Sequence, residues 1–214
     1  MLVNLSKKNS LVSQFVSELR DVQVQKDRLR FRRNMERIGE VCAYEISKEL
    51  DYEQREVTTP LGVASMAQMP QQPVLATILR AGLPLHQGLL NYFDGADNAF
   101  VSAYRYHHQD NSFEVKVEYA SCPPIEGRVL ILADPMIATG TSLVLTYKSL
   151  LQFGKPSKVF VVTAIGSEAG VNYVRKSIPG VKIFAAAVDA ELTAKAYIVP
   201  GLGDAGDLAF GEKK

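Results

Sequence analysis

The sequence predicts an α/β fold in which a mostly parallel sheet is flanked by helices. Apolar runs and helical patterns alternate along residues 73–190 at the spacing of βαβ units. The run Val129–Ala133 has no polar face, as expected for a strand that is covered by helices on both sides. The length of 214 residues suits one domain. We therefore expect a single domain over residues 1–214, with an N-terminal helical layer over 1–60, the core sheet over 73–190 and a C-terminal segment over 191–214.

The composition excludes several classes of function. Charge is balanced, with 24 Lys and Arg residues against 23 Asp and Glu, so neither nucleic acid nor an anionic membrane is an expected partner. No stretch approaches the roughly 18 apolar residues of a transmembrane helix, and the N-terminus lacks a signal-peptide pattern. Cys42 and Cys122 belong to no CxxC or Cys/His cluster, so no metal–thiolate site or disulfide is expected. These features favour a cytoplasmic location.

The first sixty residues are predicted to be helical, and their clearest helix spans 27–50. Its apolar residues recur at intervals of three and four, which places them on one helix face. These residues are Phe31, Met35, Ile38, Cys42, Ile46 and Leu50. The run 58–62 contains a proline and a glycine and is predicted to be the turn that ends this region.

From residue 73 onward, short apolar runs alternate with helical segments. The predicted strands are 73–79, 99–104, 113–119, 129–133, 159–164 and 181–188. The predicted helices are 85–93 with Pro84 in its first turn, a helix that ends near 153, and 168–177. Apolar and polar residues alternate in 113–119, which favours a half-exposed antiparallel strand, and the polar residues 107–112 form its predicted hairpin tip.

The segment Asp134–Ser142 follows a predicted buried strand, opens a helix and is predicted to bind phosphate. A helix N-terminus offers unpaired N–H groups, and residues 138–142 are small or hydroxylic, so an anion can approach the backbone. The carboxylate of Asp134 would repel a lone phosphate, but it can accept hydrogen bonds from vicinal hydroxyls, so a ribose 5-phosphate meets both requirements. No lysine completes a Walker A motif. The alternative is a plain strand-to-helix turn in which Asp134 only ends the strand.

This segment resembles the phosphoribosyl-pyrophosphate (PRPP) loop of type I phosphoribosyltransferases. Its form, DPMxATGxS, is similar to that of uracil phosphoribosyltransferases, although only one acid stands at its start. The resemblance implies the type I fold with a small hood and a flexible β-hairpin flap. It also implies a set of PRPP-binding residues in this loop: Asp134, Pro135, Met136, Ile137, Ala138, Thr139, Gly140, Thr141 and Ser142.

Two arginines follow predicted strands. Arg80 lies in a segment that resembles the family's pyrophosphate loop, and Arg105 matches the arginine beneath the family's flexible hairpin. Each guanidinium can bind phosphate oxygens in bidentate fashion, so the two together suit a pyrophosphate. Taken singly, each would be interpreted as a surface salt bridge.

The C-terminal run Tyr197–Asp207 is rich in glycine and satisfies GxGxxG by count. A dinucleotide fingerprint needs a βαβ unit after it, and too few residues follow for one. The exposed backbone of such a loop can instead read the acceptors at O2 and O4 and the donor at N3 of uracil. The run resembles the base site of uracil phosphoribosyltransferases, which implies Ile198, Gly203, Asp204 and Ala205 as uracil-binding residues, with Asp204 also near the pyrophosphate and its Mg²⁺. A glycine-rich disordered tail is the alternative.

The resemblance implies an enzyme that joins uracil to PRPP and releases UMP and pyrophosphate, with Asp134, Asp204 and Arg105 as its catalytic residues. Mg²⁺ is expected to arrive with PRPP, since the sequence offers no dedicated metal site. A homodimer or higher homo-oligomer is expected. Two alternatives stay open: a phosphoribosyltransferase for another base, and a non-enzymatic, nucleotide-sensing regulator on the same fold. The chain departs from the family pattern at Pro84, at Leu208 and in the segment 106–113.

Overall fold

In the computed structural model, the backbone is described for residues 1–107 and 113–212, and side chains are described for residues 1–102 and 118–212. The strands are β1 (Leu2–Asn4), β2 (Glu53–Thr59), β3 (Gly62–Gln68), β4 (Val74–Leu79), β5 (Asp97–His107), β6 (Phe113–Ser121), β7 (Val129–Ala133), β8 (Met136–Ile137), β9 (Lys158–Ser167), β10 (Lys182–Asp189), β11 (Glu191–Leu192) and β12 (Ile198–Val199). The α-helices are α1 (Leu11–Arg20), α2 (Arg28–Ser47), α3 (Leu83–Leu90), α4 (Thr141–Leu150), α5 (Glu168–Ser177) and α6 (Ala205–Phe210).

The main sheet has the strand order β1-β10-β9-β7-β4-β5-β6, and the short β8 pairs with β9. Its strands are parallel except for β6, which runs antiparallel to β5. This confirms the predicted mostly parallel sheet. The chain leaves β4 toward β5 on one side and leaves β7 toward β9 on the other, so the strand order reverses between β4 and β7. In open α/β sheets, such a switch point forms a crevice at the carboxyl ends of the strands.

Apolar side chains fill both faces of this sheet. One core joins the sheet to α1, α2, α3 and α6, and the other joins it to α4 and α5. The central strand β7 serves both, because Ile131 and Ala133 belong to the first core and Leu130 and Leu132 to the second. This is why the strand carries no polar face in the sequence.

The long helix α2 forms where the apolar spacing predicted it. The side chain of Asp27 accepts hydrogen bonds from the amides of Leu29 and Arg30, which satisfies the first unpaired donors of the helix. Its buried residues recur at intervals of three and four, as expected. At its other end the chain turns into an exposed hairpin rather than toward the sheet.

The expectation that residues 1–60 are all helical is wrong at both ends. Leu2–Asn4 adds an edge strand to the sheet, parallel to β10, and 53–68 forms the antiparallel hairpin β2–β3 around the predicted turn. Both faces of this hairpin are largely exposed, so it has no apolar side and gave no strand period in the sequence. An edge strand of three residues is likewise too short to show a period.

Other predicted elements fall close to their expected bounds. Helix α3 begins slightly earlier than predicted, with Pro84 in its first turn. The predicted tip 107–112 lies outside the described residues beyond His107. No helix in the described ranges 1–107 and 113–212 is both long enough and apolar enough to span a membrane.

Candidate active site

A cavity of about 580 Å³ opens at the switch point, where β4 and β7 end. Three segments of the chain meet around it: residues 78–81, the turn that follows β7, and the segment 196–206. Its lining residues are Ile78, Leu79, Arg80, Ala81, Asp134, Pro135, Met136, Ala138, Ser142, Ala196, Tyr197, Ile198, Gly203, Asp204, Ala205 and Gly206. This volume lies in the range typical of small-molecule sites.

We call residues 134–142 the phosphate turn. It starts as an extension of β7, since the amide of Asp134 donates to the carbonyl of Val162 at 3.1 Å. It then forms the short strand β8, which the sequence did not predict, and reaches α4 through Gly140 at a φ of 80°. The hydroxyls of Thr139 and Thr141 lie 3.1 Å apart at the start of that helix. Of the residues of this turn, Asp134, Pro135, Met136, Ala138 and Ser142 border the cavity.

The phosphate turn is backed by the start of α5. The hydroxyl of Ser167 donates to the carbonyl of Ala138 at 2.5 Å and accepts from the amide of Gly170 at 2.9 Å. A Cβ on Gly170 would lie 2.2 Å from the carbonyl oxygen of Ala138, so the two segments are in close contact. Because C=O and the following N–H point in opposite directions in a trans peptide, this bond turns the amide of Thr139 away from α5.

Arg80 follows β4 directly, after a cis peptide bond to Leu79. One terminal nitrogen, Nη2, donates to Asp207 at 3.1 Å and also to the carbonyl of Gly211. The Nε atom is buried and has no hydrogen-bond partner among the described residues. A buried donor without a partner is costly, and an anion in the cavity is one group that could satisfy it.

Two helices that start near the cavity have glycine at the N-cap position. The helices α1, α2, α5 and α6 are each capped by a side chain: Ser10, Asp27, Ser167 and Asp204. The N-cap residues of α3 and α4 are Gly82 and Gly140, which have no side chain to act as a cap, and at α4 the hydroxyl of Thr139 accepts a long hydrogen bond of 3.4 Å from the amide of Thr141. Helix α3 begins just beyond β4, and α4 begins within the phosphate turn. At each of these two helix starts an anion can take the place of a cap.

We call residues 198–205 the base loop. Ile198, Leu202 and Ala205 are buried and belong to the same core as α2, so this segment is anchored and is not a disordered tail. The carboxylate of Asp204 accepts from the amides of Gly206 and Asp207 at 2.8 and 3.0 Å and so caps α6.

Ten predicted site residues line this one cavity, drawn from all three segments. Ile137, Thr139, Gly140 and Thr141 complete the phosphate turn but do not line the cavity, and the side chain of Ile137 is buried in the core. Arg105 lies in β5 opposite Val115, and its side chain falls outside the described part of the structure.

Six lining residues were missed. Four of them directly adjoin predicted site residues: Leu79, Ala81, Tyr197 and Gly206. Ile78 lies two residues before Arg80, so the motifs themselves pointed to these five. Tyr197 and Ala196 precede the base loop, and Ala196 adopts a φ of 61°, which its sequence does not signal.

The residues that could hold a metal ion are few. Asp134 and Asp204 are the acidic side chains that line the cavity. Within the described residues, no cluster of three or more His, Cys, Asp or Glu side chains could cage a metal. Mg²⁺ commonly binds through one or two carboxylates together with the phosphates of a substrate, and this donor set fits that mode.

A buried histidine lies behind the site. His86 in α3 contacts the Oδ1 atom of Asn98 through Nε2 at 2.8 Å, and its Nδ1 has no partner among the described residues. Burial lowers the pKa of His86, and the hydrogen bond to Asn98 opposes this only in part. The imidazole therefore stays neutral near pH 7. It does not line the cavity.

Comparison with known proteins gives a consistent result. The sequence model of the family described as "Uracil phosphoribosyltransferase" matches residues 6–212. A uracil phosphoribosyltransferase from Porphyromonas gingivalis is 52% identical over 213 residues, covering 99% of both chains. One from Pyrococcus furiosus is 37% identical over 204 residues, covering 94% of this chain and 86% of that one.

Solved structures confirm the fold. A protein from Aquifex aeolicus superposes with a TM-score of 0.88 at 29% identity, covering 99% of this chain and 98% of that one. A hypoxanthine phosphoribosyltransferase from Staphylococcus aureus superposes with a TM-score of 0.50 at 17% identity over 74% of each chain, which is a likeness of fold alone. The type I phosphoribosyltransferase fold predicted from the motifs is thereby confirmed.

Proposed function

This chain belongs to the uracil phosphoribosyltransferase family, and from this we infer that it joins uracil to PRPP, giving UMP and pyrophosphate. The structural observation that carries this inference is the single cavity shared by the phosphate turn, Arg80 and the base loop. Transfer requires the ribosyl C1 and the base to meet, and these segments lie around one space.

The phosphate turn is proposed to hold the ribose 5-phosphate. The start of α4 at Gly140, which has no capping side chain, and the place of Ser142 in the cavity lining support this role. We assign Asp134 to the ribose hydroxyls, because this residue lines the cavity and a carboxylate can accept hydrogen bonds from two hydroxyls. The alternative in which Asp134 only ends the strand does not account for its place in the cavity lining.

Arg80 and Arg105 are proposed to hold the pyrophosphate. The buried Nε of Arg80, which has no partner among the described residues, supports the assignment of Arg80. During transfer the C1–oxygen bond breaks and pyrophosphate leaves with its electron pair, the N1–C1 bond to uracil forms, and the N1 proton is released to solvent. Positive charge develops at the ribosyl centre and negative charge on the leaving group, so fixed charges at Asp134, Asp204 and Arg105 would stabilise the transition state. When bound, Mg²⁺ would neutralise pyrophosphate charge, held by Asp134 and Asp204.

The base loop is proposed to read uracil through its backbone near Ile198, Gly203, Asp204 and Ala205. All four residues line the cavity. The polarity of backbone groups cannot be reversed by a rotamer change, so such a site is suited to one pattern of donors and acceptors. Cytosine presents a donor at position 4 and an acceptor at N3, the reverse of uracil, so two contacts would be lost or become repulsive.

The function is tested by steady-state kinetics with PRPP, Mg²⁺ and a panel of bases. We expect uracil and the small analogue 5-fluorouracil to be substrates. We expect cytosine to be used about 10⁴-fold less efficiently, because buried polar groups would be left unpaired. Comparable efficiency with cytosine or hypoxanthine would contradict this account of the base loop.

We further propose that the enzyme is a homo-oligomer in the cytoplasm. A two-stranded hairpin is marginally stable alone in water, yet β2–β3 stands exposed on both faces with apolar side chains at Leu61, Val63 and Met66. A second copy of the chain would cover it. Replacement of residues 53–68 by a short Gly–Ser link should lower the number of copies per particle that light scattering measures, and an unchanged number of copies would rule this surface out. The free thiols of Cys42 and Cys122 agree with a reducing compartment.

A further inference from the structure

An ion pair from outside the cavity holds the middle of the base loop. Arg20, at the end of α1, donates from Nη2 and Nη1 to the two carboxylate oxygens of Asp189 at 2.7 and 2.8 Å. The same Nη1 donates to the carbonyl of Gly201 at 3.0 Å, and the amide of Gly201 donates to Asp189 at 3.0 Å. Both backbone groups of Gly201 are thus bound by this one pair.

The pair joins three distant parts of the chain. Asp189 ends β10, and it lies 169 residues from Arg20 and 12 from Gly201. The side chain of Asp189 is only 8% exposed and that of Arg20 is 24% exposed, so the contact is much drier than an ordinary surface salt bridge. A bidentate, largely buried pair of this kind fixes geometry as well as contributing energy.

Gly201 lies between Ile198 and Gly203, the residues that border the cavity. The chain from 200 to 204 belongs to no helix or strand, so no regular hydrogen-bond ladder sets its path. Its φ at Gly201 is 58°, and a Cβ there would lie 2.2 Å from the carbonyl oxygen of Ile198, which shows how tightly the chain folds back. The ion pair therefore supplies the orientation that secondary structure does not.

We propose that Arg20 and Asp189 are positioning residues that set the base-reading backbone, an inference that rests on the proposed function of this cavity. Neither residue lines the cavity, so neither touches a substrate there. Their effect passes through Gly201 to the base loop. The hydrogen bonds of these two side chains join them to each other and to the backbone of Gly201. The predicted consequence is a selective effect on the base and not on PRPP.

The test compares Michaelis constants for the two substrates in Asp189→Asn and Arg20→Lys. An asparagine leaves Arg20 without its charged partner, and a lysine keeps the charge but cannot hold two carboxylate oxygens and the carbonyl of Gly201 together. We expect the KM for uracil to rise at least about tenfold in each variant, since a shift of about 1 Å in a positioned group can cost 10²-fold. The KM for PRPP should change less than about threefold, which is smaller than the effect of losing one typical hydrogen bond.

Matched controls come from a second bidentate pair, between Arg30 and Glu18. It joins α2 to α1, and its arginine is 48% exposed. Glu18→Gln and Arg30→Lys repeat the two chemical changes at a pair of side chains whose other hydrogen-bond partners in the described part of the chain are Gln14 and Asn34, outside the base loop. Both should leave the KM for uracil unchanged, whatever they do to thermal stability.

Several outcomes would overturn the proposal. Equal changes in both Michaelis constants, or a lowered melting temperature with unchanged kinetics, would show that the pair only stabilises the fold. If Asp189→Asn does not fold, Arg20→Lys decides the matter, because it buries no new unpaired charge. The proposed function is tested separately by the wild-type base panel. If the wild-type enzyme prefers another base, the Michaelis constants of the variants are measured for that base and for PRPP, and the same selective effect on the base is expected.

Discussion

The phosphate turn and the base loop border the same cavity, but different parts of the chain hold them in place. The phosphate turn is a continuous strand–turn–helix, backed by the next strand and helix through Ser167 and Gly170. The middle of the base loop, residues 200–204, has no such local frame. It is held by Arg20 from α1 and Asp189 from β10, and α6 behind it is bound to α2 by a 2.7 Å hydrogen bond from Arg32 to the carbonyl of Ala209.

This difference has a functional consequence. Phosphate recognition needs only backbone amides at a helix start, and a helix start arises from contiguous residues. Base recognition needs backbone groups at fixed polarity in an irregular segment, and such a segment must be positioned from elsewhere in the fold. Substitutions should therefore separate into those that weaken the binding of PRPP and those that weaken the binding of uracil.

The largest effect is expected for Arg105→Ala on the phosphate side. If the guanidinium of Arg105 pairs with desolvated pyrophosphate, the alanine variant should bind PRPP more weakly by about 2–5 kcal/mol and bind uracil nearly as well as the wild type. Titration of each substrate separately measures this. Arg33→Ala, at an exposed helix pair, is the control and should affect neither. An equal loss for both substrates would break the division between the two regions at this residue.

A somewhat smaller effect, on turnover, is expected for Asp134→Asn. The amide keeps the shape of the side chain but loses a charged acceptor for two hydroxyl donors, so turnover should fall by a factor that corresponds to about 1.5–3 kcal/mol. The melting temperature should be close to that of the wild type, and uracil affinity should be retained. An early-melting variant whose folded fraction is fully active would assign Asp134 a purely structural role.

Two glycines, one in each region, allow a direct comparison. Gly140 at φ 80° would place a Cβ 2.8 Å from Val174, and Gly201 at φ 58° would place one 2.2 Å from the Ile198 carbonyl oxygen. Each alanine variant should lose about 1–3 kcal/mol of stability. We expect Gly140→Ala to raise the KM for PRPP and Gly201→Ala to raise the KM for uracil, because each strains one of the two regions.

The control for these two variants is Gly180→Ala. That glycine has a similar φ of 70°, and a Cβ there would contact nothing within 4 Å. It should lose stability from backbone strain alone and keep both Michaelis constants. If all three alanine variants behave alike, the strain is general and the two regions are not distinguished by it.

The smallest effect is expected from pH at His86, which borders neither region. Burial lowers its pKa in the folded protein, so below its ordinary pKa of 6.5 the unfolded chain binds a proton that the folded chain resists. Stability should be unaffected above that pH and fall as the pH drops below it, by at most about 1 kcal/mol at pH 6. Melting curves of the wild type and His86→Gln from pH 8 to 6 measure this. An identical pH dependence in the variant would exclude His86 as its source.

The two departures at Pro84 and Leu208 prove compatible with the fold. Pro84 occupies the first turn of α3, where its missing N–H costs nothing, and Leu208 packs against the core that contains α2. Neither residue disturbs the helix in which it lies. The departure in 106–113 falls mostly on residues whose side chains lie outside the described part of the structure.

The sequence by itself determined the parts of this protein that are local. The apolar run 129–133, the acid after it and the small residues to Ser142 predicted a strand, a turn and a helix start, because periodicity and turn chemistry act between near neighbours in the chain. The glycine-rich spacing of 197–207 likewise predicted a loop with an exposed backbone. The assignment of that loop to uracil came from the family resemblance.

Only the tertiary structure decided what holds that loop. An arginine at the end of one helix and an aspartate at the end of one strand carry no sign in the sequence that they meet at Gly201. Likewise, nothing in the polar run 53–59 indicates a strand, since neither face is buried. Periodicity records which side of an element is buried, whereas a contact between residues 169 positions apart depends on how the packed sheet brings its edges together.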